Sequence, residues 1–124
     1  MKRNMDLIRD IMIYLEENLT PGKPIQSTEI PLYNKENDDE YQVLSEHIKL
    51  LLDEGLVEAN QMPIKGFVIY DIQRITSHGY DFLDALRDET IWSKTKDTTG
   101  KVGGYTIGIL MELGKEYIKK QVGL

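Results

Sequence analysis

Two segments of the chain constrain its fold more than any others, and they lie on either side of an apolar hairpin. Residues 50–57 read LLLDEGLV, which places an apolar helix end directly before Gly55 and a new strand. A glycine at this point is typical of a left-handed helix cap. Residues 75–83 read ITSHGYDFL, which places a strand end, a hydroxyl cap and a new helix in succession. The chain is therefore predicted to fold as helix, glycine stop, hairpin and helix.

This order predicts an α+β fold of the winged-helix type with an additional C-terminal helix. Periodicity, caps and turn residues set the element bounds. The predicted elements are helices over 5–19, 37–54 and 106–121, a short strand over 23–27, a brief helical turn through Glu29 and Ile30, hairpin strands over 56–59 and 67–72 joined by a loop over 60–66, a helix capped by Thr76 or Ser77, and a short helical stretch starting at 90–92.

The same elements predict a division of the chain into three parts. Residues 1–93 form the winged-helix domain, and residues 94–104, which are polar and contain glycines, form a linker or loop. Residues 105–124 form the C-terminal helix. Because residues 102–113 are apolar on more than one side, this helix is expected to pack either on the domain or on a second subunit, which would make a homodimer.

Composition excludes several classes of protein. The chain of 124 residues has the size of a single domain and contains no cysteine, so disulfides and thiolate chemistry are excluded and a cytoplasmic setting is expected. Asp6, Arg9 and Asp10 interrupt the apolar positions that a signal peptide would need. Apolar runs are too short for a bilayer span, so we expect no membrane contact.

No pattern of an enzyme is present in the sequence. Gly100-Lys101 resembles the end of a phosphate loop, but Thr95 and Val102 stand where that motif needs a glycine and a Ser or Thr. The two histidines, His47 and His78, have no spacing typical of metal ligands, and His47 is expected to be a boundary residue satisfied by hydrogen bonds. We therefore predict no catalytic residue, no cofactor and no metal.

The helix predicted over 37–54, which is the third helix of the winged-helix pattern, presents an acidic surface. Residues 34–54 hold seven acidic and two basic side chains, and the net charge of the chain is −6. A winged helix that binds DNA usually turns this helix toward the major groove, where carboxylates would repel the phosphates. The helix face is thus either a solvated surface or the contact surface for a basic partner protein. The candidate interaction surface is Asp38, Asp39, Gln42, Glu46, Lys49 and Asp53.

A second surface keeps DNA binding open as the alternative. Residues 94–120 hold six lysines against three acidic residues, and the hairpin adds further basic residues. Such side chains can contact phosphates, although a basic surface often serves only solubility. The candidate nucleic-acid contacts are Lys65, Arg74, Lys94, Lys96 and Lys101.

Several segments resemble a known family. Residues 1–9 (MKRNMDLIR), 47–57 (HIKLLLDEGLV) and 75–92 look like the corresponding parts of a family of uncharacterised small proteins from bacteria and their phages, and the later segment through Lys94 is similar to YjcQ-like proteins, a winged-helix group of Firmicutes and prophages. The resemblance implies a winged-helix fold, a bacterial or phage origin and a cytoplasmic setting, and it implies no activity. We therefore expect a non-catalytic protein-interaction module or phage accessory protein, with a DNA-binding transcriptional regulator as the alternative.

Overall fold

A computed structural model describes residues 1–102 and 104–124 of the chain. Within these residues there are five α-helices and a three-stranded antiparallel sheet, which confirms the predicted α+β class. The elements are α1 (Met5–Asn18), β1 (Ile25–Gln26), a short 3-10 helix (Ser27–Glu29), α2 (Asp38–Asp53), β2 (Val57–Ile64), β3 (Phe67–Ile75), α3 (Ser77–Leu86), α4 (Glu89–Thr99) and α5 (Ile107–Gln121).

The described chain divides into two compact units, Met1–Gly79 and Tyr80–Leu124. The first unit holds the sheet, in the strand order β1-β3-β2, together with α1 and α2, which pack on each other. Its core comes from apolar residues at helical spacing and from inward positions of the strands. The fully buried members include Ile8, Ile11, Met12, Leu15, Leu44, Ile48, Leu51, Leu56 and Ile72.

Both ends of α2 have the local structure that the sequence predicts. The side chain of Asn37 accepts hydrogen bonds from the backbone N–H groups of Asp39 (3.0 Å) and Glu40 (3.2 Å), which caps the helix. Carboxylates in the first turn are stabilised by the positive end of the helix dipole. Gly55 follows the last turn with a φ of +71°, so the predicted left-handed glycine is confirmed.

The hairpin between β2 and β3 is tighter than predicted. The expected loop over 60–66 is wrong for residues 60–64, because β2 continues to Ile64 and the turn consists of Lys65 and Gly66 alone, with φ values of +43° and +86°. Positive φ at both positions is typical of a two-residue hairpin turn. Pro63 fits within β2 because this strand lies at the edge of the sheet.

In the second unit, α4 is longer than the sequence predicted. The loop expected over 94–104 is wrong for residues 94–99, which are helical up to Thr99. Thr95 and Thr99 are buried on the same stripe as Trp92, and the Thr95 hydroxyl donates to the carbonyl of Ile91 at 2.8 Å. Threonine counts as polar in the sequence, but both side chains are buried in the helix. Gly103, also in the predicted loop, lies outside the described residues.

Helix α5 packs on its own chain. Its N-cap is Thr106, whose hydroxyl accepts from the backbone N–H of Ile109 at 3.1 Å. The helix contacts α4, and Gly114 lies so close to the end of α3 that an added Cβ would be 2.5 Å from the carbonyl oxygen of Ala85. Contact with a second subunit stays a prediction. No helix in the described part of the chain is both long and apolar enough to cross a membrane.

Candidate functional site

Helix α2 exposes several carboxylates on one side. Asp38, Asp39, Glu46 and Asp53 are exposed, and we call these four residues the acidic face of α2; Lys49 is exposed beside them. These five positions lie outward, as the sequence predicted. The opposite side of the helix is buried, and its residues include Tyr41, Leu44, Ile48 and Leu51.

Gln42 is the exception among the residues predicted for this surface. Its side chain is half-buried, and its amide Nε2 donates to the carbonyl oxygen of Gly66 at 3.3 Å. Gln42 therefore links α2 to the hairpin turn instead of standing free on the surface. Its part in the candidate interaction surface stays a prediction.

A buried network of hydroxyl groups joins α2 to the sheet and to the 3-10 helix. The Tyr41 hydroxyl donates to the carbonyl of Val68 at 2.9 Å, and the Ser45 hydroxyl donates to the same carbonyl at 2.9 Å. Ser27 Oγ lies 2.8 Å from the Tyr41 hydroxyl and accepts from the backbone N–H of Tyr70 at 2.9 Å. Burial raises the pKa of Tyr41 above its usual value, so the phenol stays protonated.

A pocket opens beside this network, at the N-terminal end of α2 and the tip of the hairpin. Its volume is about 210 Å³. Three aromatic rings form its walls: the centroids of Tyr33 and Tyr41 are 5.2 Å apart with an interplanar angle of 61°, and those of Tyr41 and Phe67 are 6.2 Å apart at 57°. We call it the aromatic pocket. Its lining residues are Thr28, Tyr33, Lys35, Asp38, Tyr41, Ile64, Phe67 and Ile69.

The chain places one of its own ammonium groups against this pocket. Lys35 Nζ lies 4.4 Å from the centroid of the Tyr33 ring, donates to the Tyr33 hydroxyl at 3.3 Å, and donates to the backbone carbonyl of Thr28. The Tyr33 hydroxyl donates to that same carbonyl at 3.0 Å. The arrangement combines a ring face with oxygen acceptors, which are the two kinds of group that stabilise a cation.

The basic residues of the hairpin have unequal surroundings. Lys65 is exposed in the turn. Arg74 faces Glu58 across the two strands, and its guanidinium makes two hydrogen bonds to that carboxylate, 3.0 Å from Nε and 3.2 Å from Nη2. The charge of Arg74 is therefore already matched by a carboxylate, which reduces its value as the phosphate contact that the sequence suggested.

The remaining candidate nucleic-acid contacts belong to the second unit. Lys94 and Lys96 lie on α4, and Lys101 follows the end of that helix; all three are exposed. Lys96 Nζ lies 5.8 Å from the centroid of the Trp92 ring. Lys65 and Arg74 belong to the first unit, so the five candidates are distributed over both units.

His47 is satisfied by hydrogen bonds, as the sequence predicted, but it lies in the interior and not at the boundary. It is buried, its Nε2 accepts from the backbone N–H of Asn4 at 2.8 Å, and its Nδ1 donates to the carbonyl of Val43 at 2.7 Å. His78 is exposed near the start of α3. Among residues 1–102 and 104–124, no three or more His, Asp or Glu side chains are grouped so that they could hold a metal ion.

Comparison with known proteins places the chain in a family. No solved structure matches it. A protein of Haemophilus influenzae (strain ATCC 51907 / DSM 11121 / KW20 / Rd), named only "Uncharacterized protein", is 31% identical over 98 residues, which cover 79% of this chain and 78% of that protein. The family described as "Hypothetical protein (DUF2513)" matches residues 2–106, which is most of the chain. The chain therefore belongs to the DUF2513 family.

Proposed function

We propose that this chain is a non-catalytic winged-helix module that binds a basic partner protein through the acidic face of α2. The order of elements in the first unit supports the winged-helix assignment: α1, β1, the 3-10 helix, α2 and the β2–β3 hairpin, followed by the start of α3. In this interpretation the 3-10 helix takes the place of the second helix, and the hairpin is the wing.

The acidic face of α2 is the observation that carries the proposal. Its carboxylates extend from Asp38 to Asp53, a distance of about 22 Å along the helix axis at 1.5 Å per residue. A row of exposed like charges favours a partner of the opposite charge and accelerates its association. The same row opposes the phosphate backbone of a duplex.

The proposal extends to the setting in which such a module would work. We place it in the cytoplasm, which the absence of cysteine favours, as an accessory protein of a bacterium or prophage with a similarity to YjcQ-like proteins. A homodimer through α5 belongs to the same proposal, and the 48% exposure of Ile109 on that helix supports it. A solution mass equal to one chain would contradict the dimer without affecting the role of α2.

Charge reversal on α2 tests the proposed partner contact. Tagged full-length chain is incubated with bacterial cytosolic extract, and the retained proteins are compared among the wild type, Glu46→Lys, Asp53→Lys and the control Glu17→Lys, which reverses an exposed charge on α1. We expect basic proteins that the wild type and the control retain and that both α2 variants lose. The proposal is wrong if the α2 variants retain every protein that the wild type retains.

DNA binding by the hairpin and the lysines of the second unit is the second candidate. The exposure of Lys65 in the hairpin turn and of Lys94, Lys96 and Lys101 in the second unit favours it. This candidate predicts retardation of promoter DNA in a gel shift at low salt, a steep decline of affinity as salt rises, and a weaker shift for Lys65→Glu. Unretarded DNA at low salt would remove it.

A further inference from the structure

We infer that the aromatic pocket binds a cation, namely the ammonium side chain of a lysine from a partner protein, and that Lys35, which lines the pocket and contacts Tyr33, competes with that cation from within the chain. The inference rests on the proposed function and extends it, because the pocket would anchor one lysine of the basic partner segment that lies along the acidic face of α2. Cation binding as such is independent of that function and can be measured with a small molecule.

The walls of the pocket have the chemistry that an alkylammonium group requires. The rings of Tyr33, Tyr41 and Phe67 all line the space and are tilted against one another, and a ring face attracts a cation. Asp38 is among the lining residues and is negatively charged. Ile64, also in the lining, offers apolar surface for the methylene groups of a lysine stem.

Lys35 shows that an ammonium group fits this chemistry. Its Nζ lies over the Tyr33 ring at 4.4 Å and donates to the Thr28 carbonyl and to the Tyr33 hydroxyl. Lys35 is exposed and belongs to the irregular segment between the 3-10 helix and α2. An ammonium group from outside can therefore take its place, at the cost of first displacing it.

Charge complementarity favours a lysine over a nucleotide as the ligand. Asp38 belongs both to the pocket and to the acidic face of α2, so a basic segment lying along the helix would reach the pocket at one end. Asp39 and Glu40 follow directly in the first turn of α2. A nucleotide could stack its base on the rings, but its phosphate would then meet these carboxylates.

The probe is n-butylammonium, which reproduces the end of a lysine side chain, with n-butanol and adenosine monophosphate as comparison ligands. Each is titrated into the isotopically labelled full-length chain while amide signals are followed by NMR. We expect butylammonium to shift the amides of Thr28, Phe67 and Ile69 saturably, and butanol to shift them far less. Equal shifts with butanol would reduce the site to an apolar cleft, and tighter binding of adenosine monophosphate would reassign it to a nucleotide; either result overturns the inference.

Two neighbouring carboxylates provide a matched pair of variants. Asp38→Asn removes the charge of a residue that lines the pocket, whereas Asp39→Asn removes one that is also exposed in the same helical turn but is not among the lining residues. We expect Asp38→Asn to weaken butylammonium binding about threefold to fivefold, as for a partly exposed ion pair, and Asp39→Asn to change it by less than about twofold. Equal effects of the two variants would show that general acidity of the helix end, not the pocket, attracts the cation.

Changes at Tyr33 and Lys35 test whether the Tyr33 ring binds the cation and whether Lys35 competes with it. Tyr33→Leu keeps apolar volume but removes the ring face, and we expect it to abolish binding. Lys35→Gln removes the competing ammonium, and we expect it to tighten binding by roughly tenfold if Lys35 fills the site nine-tenths of the time. Unchanged affinity in Lys35→Gln would overturn the role of Lys35. If Tyr33→Leu fails to fold, the Asp38 and Asp39 pair decides the matter alone.

A further variant separates this inference from the proposed function. Glu46 lies on the acidic face of α2 but is not among the residues that line the pocket, so Glu46→Lys should bind butylammonium as the wild type does, within about twofold. If butylammonium binds and Glu46→Lys still captures the same partners, the proposed function is contradicted, but the inference that the pocket binds a cation is supported. If partner capture depends on Glu46 but butylammonium does not bind, the proposed function is supported and the inference about the pocket is contradicted.

Discussion

Among the residues that the structure describes, buried hydroxyl groups form hydrogen bonds between different elements in the first unit, but only within one helix in the second. In the first unit, Ser27, Tyr41 and Ser45 bond across elements, from the 3-10 helix and α2 to the backbone of β3. In the second unit, Thr95 and Thr99 donate to carbonyls about one turn earlier within α4. Buried hydroxyls thus fix the arrangement of separate elements in the first unit. In the second unit, they only satisfy their own hydrogen-bonding capacity within α4.

The second unit also has a hydroxyl contact between elements, but at its margin. The hydroxyls of Thr98 on α4 and Tyr117 on α5 are hydrogen-bonded, and both residues are half-buried. Water can replace a lost bond more easily there than in the centre of the first unit. We therefore expect the second unit to depend mainly on apolar packing and the first to depend on packing together with directed hydrogen bonds.

Loss of apolar packing should have the largest effect and should not distinguish the units. Leu51 and Leu110 are both fully buried, one in each unit. Leu51→Ala and Leu110→Ala are each expected to lower the free energy of unfolding by about 2–5 kcal/mol, because the transfer free energy of the side chain is lost and a cavity remains. Urea unfolding followed by circular dichroism measures both. A loss far below this range for Leu110→Ala would show that α5 is not part of a packed core.

Overpacking at two close helix contacts should come next. An added Cβ would lie 2.1 Å from the carbonyl oxygen of Leu56 at Gly79 and 2.5 Å from that of Ala85 at Gly114. Since both obstacles are backbone atoms, Gly79→Ala and Gly114→Ala should each cost about 1–3 kcal/mol despite the better helix propensity of alanine.

A third helical glycine provides the control for these two. Gly108 lies in α5, and its added Cβ would meet Thr106 Oγ1 at 3.6 Å, an ordinary contact distance. Gly108→Ala should therefore leave the melting temperature unchanged or raise it slightly. If Gly108→Ala were as destabilising as Gly114→Ala, loss of glycine in α5 would matter in general, and close approach would not be the cause.

Removal of single hydroxyls tests the comparison directly. Ser27→Ala leaves the Tyr70 N–H without the Ser27 hydroxyl and removes one of the two hydrogen bonds of the Tyr41 hydroxyl, so we expect a loss of about 1–3 kcal/mol. Thr95→Val keeps the shape of the side chain, and the carbonyl of Ile91 retains its bond within the helix, so the loss should stay below about 1 kcal/mol. The contrast between the units is refuted if Thr95→Val costs as much as Ser27→Ala in the same urea titration.

The tyrosines of the first unit should make its stability fall at high pH. Burial raises the pKa of both Tyr41 and Tyr70 above the usual value of 10.0. A raised pKa means that the folded chain holds its phenolic protons more tightly than the unfolded chain, so the stabilisation is complete below pH 10 and is lost as pH rises from 10 toward the folded-state values. Tyr41→Phe should flatten this decline, as measured by urea unfolding between pH 8 and 11; a decline as steep as in the wild type would contradict it.

The sequence was sufficient to predict elements whose signals are local. Apolar spacing defines the buried side of α2, and Asn37 and Gly55 mark its ends, so cap, face and stop were all readable from nearby residues. The exposed acidic residues follow from the same periodicity. The edge position of β2 cannot be predicted in this way, because it depends on strand order, and the local sequence therefore predicts Pro63 in a loop.

The aromatic pocket could not be predicted, because the contacts that form it are distant in sequence. Tyr33 comes from an irregular segment without periodicity, and Phe67 comes from the start of β3. Tyr80 on α3 is also aromatic, yet 47% of it is exposed. Hydrophobic character alone does not tell which side of a helix an aromatic residue occupies when the partners of that helix are unknown.

Exposed contacts should have the smallest effect, and again should not distinguish the units. Gln42 in α2 loses one long hydrogen bond to Gly66 when it becomes alanine, and water can replace the amide because the side chain is only half-buried. Gln42→Ala should therefore change the free energy of unfolding by less than about 0.5 kcal/mol. Glu112→Ala in α5 breaks an exposed ion pair with Lys115 and should do as little. If Gln42→Ala approached the loss of Leu51→Ala, the buried and exposed sides of α2 would be wrongly assigned, and the acidic face could not be a surface open to a partner.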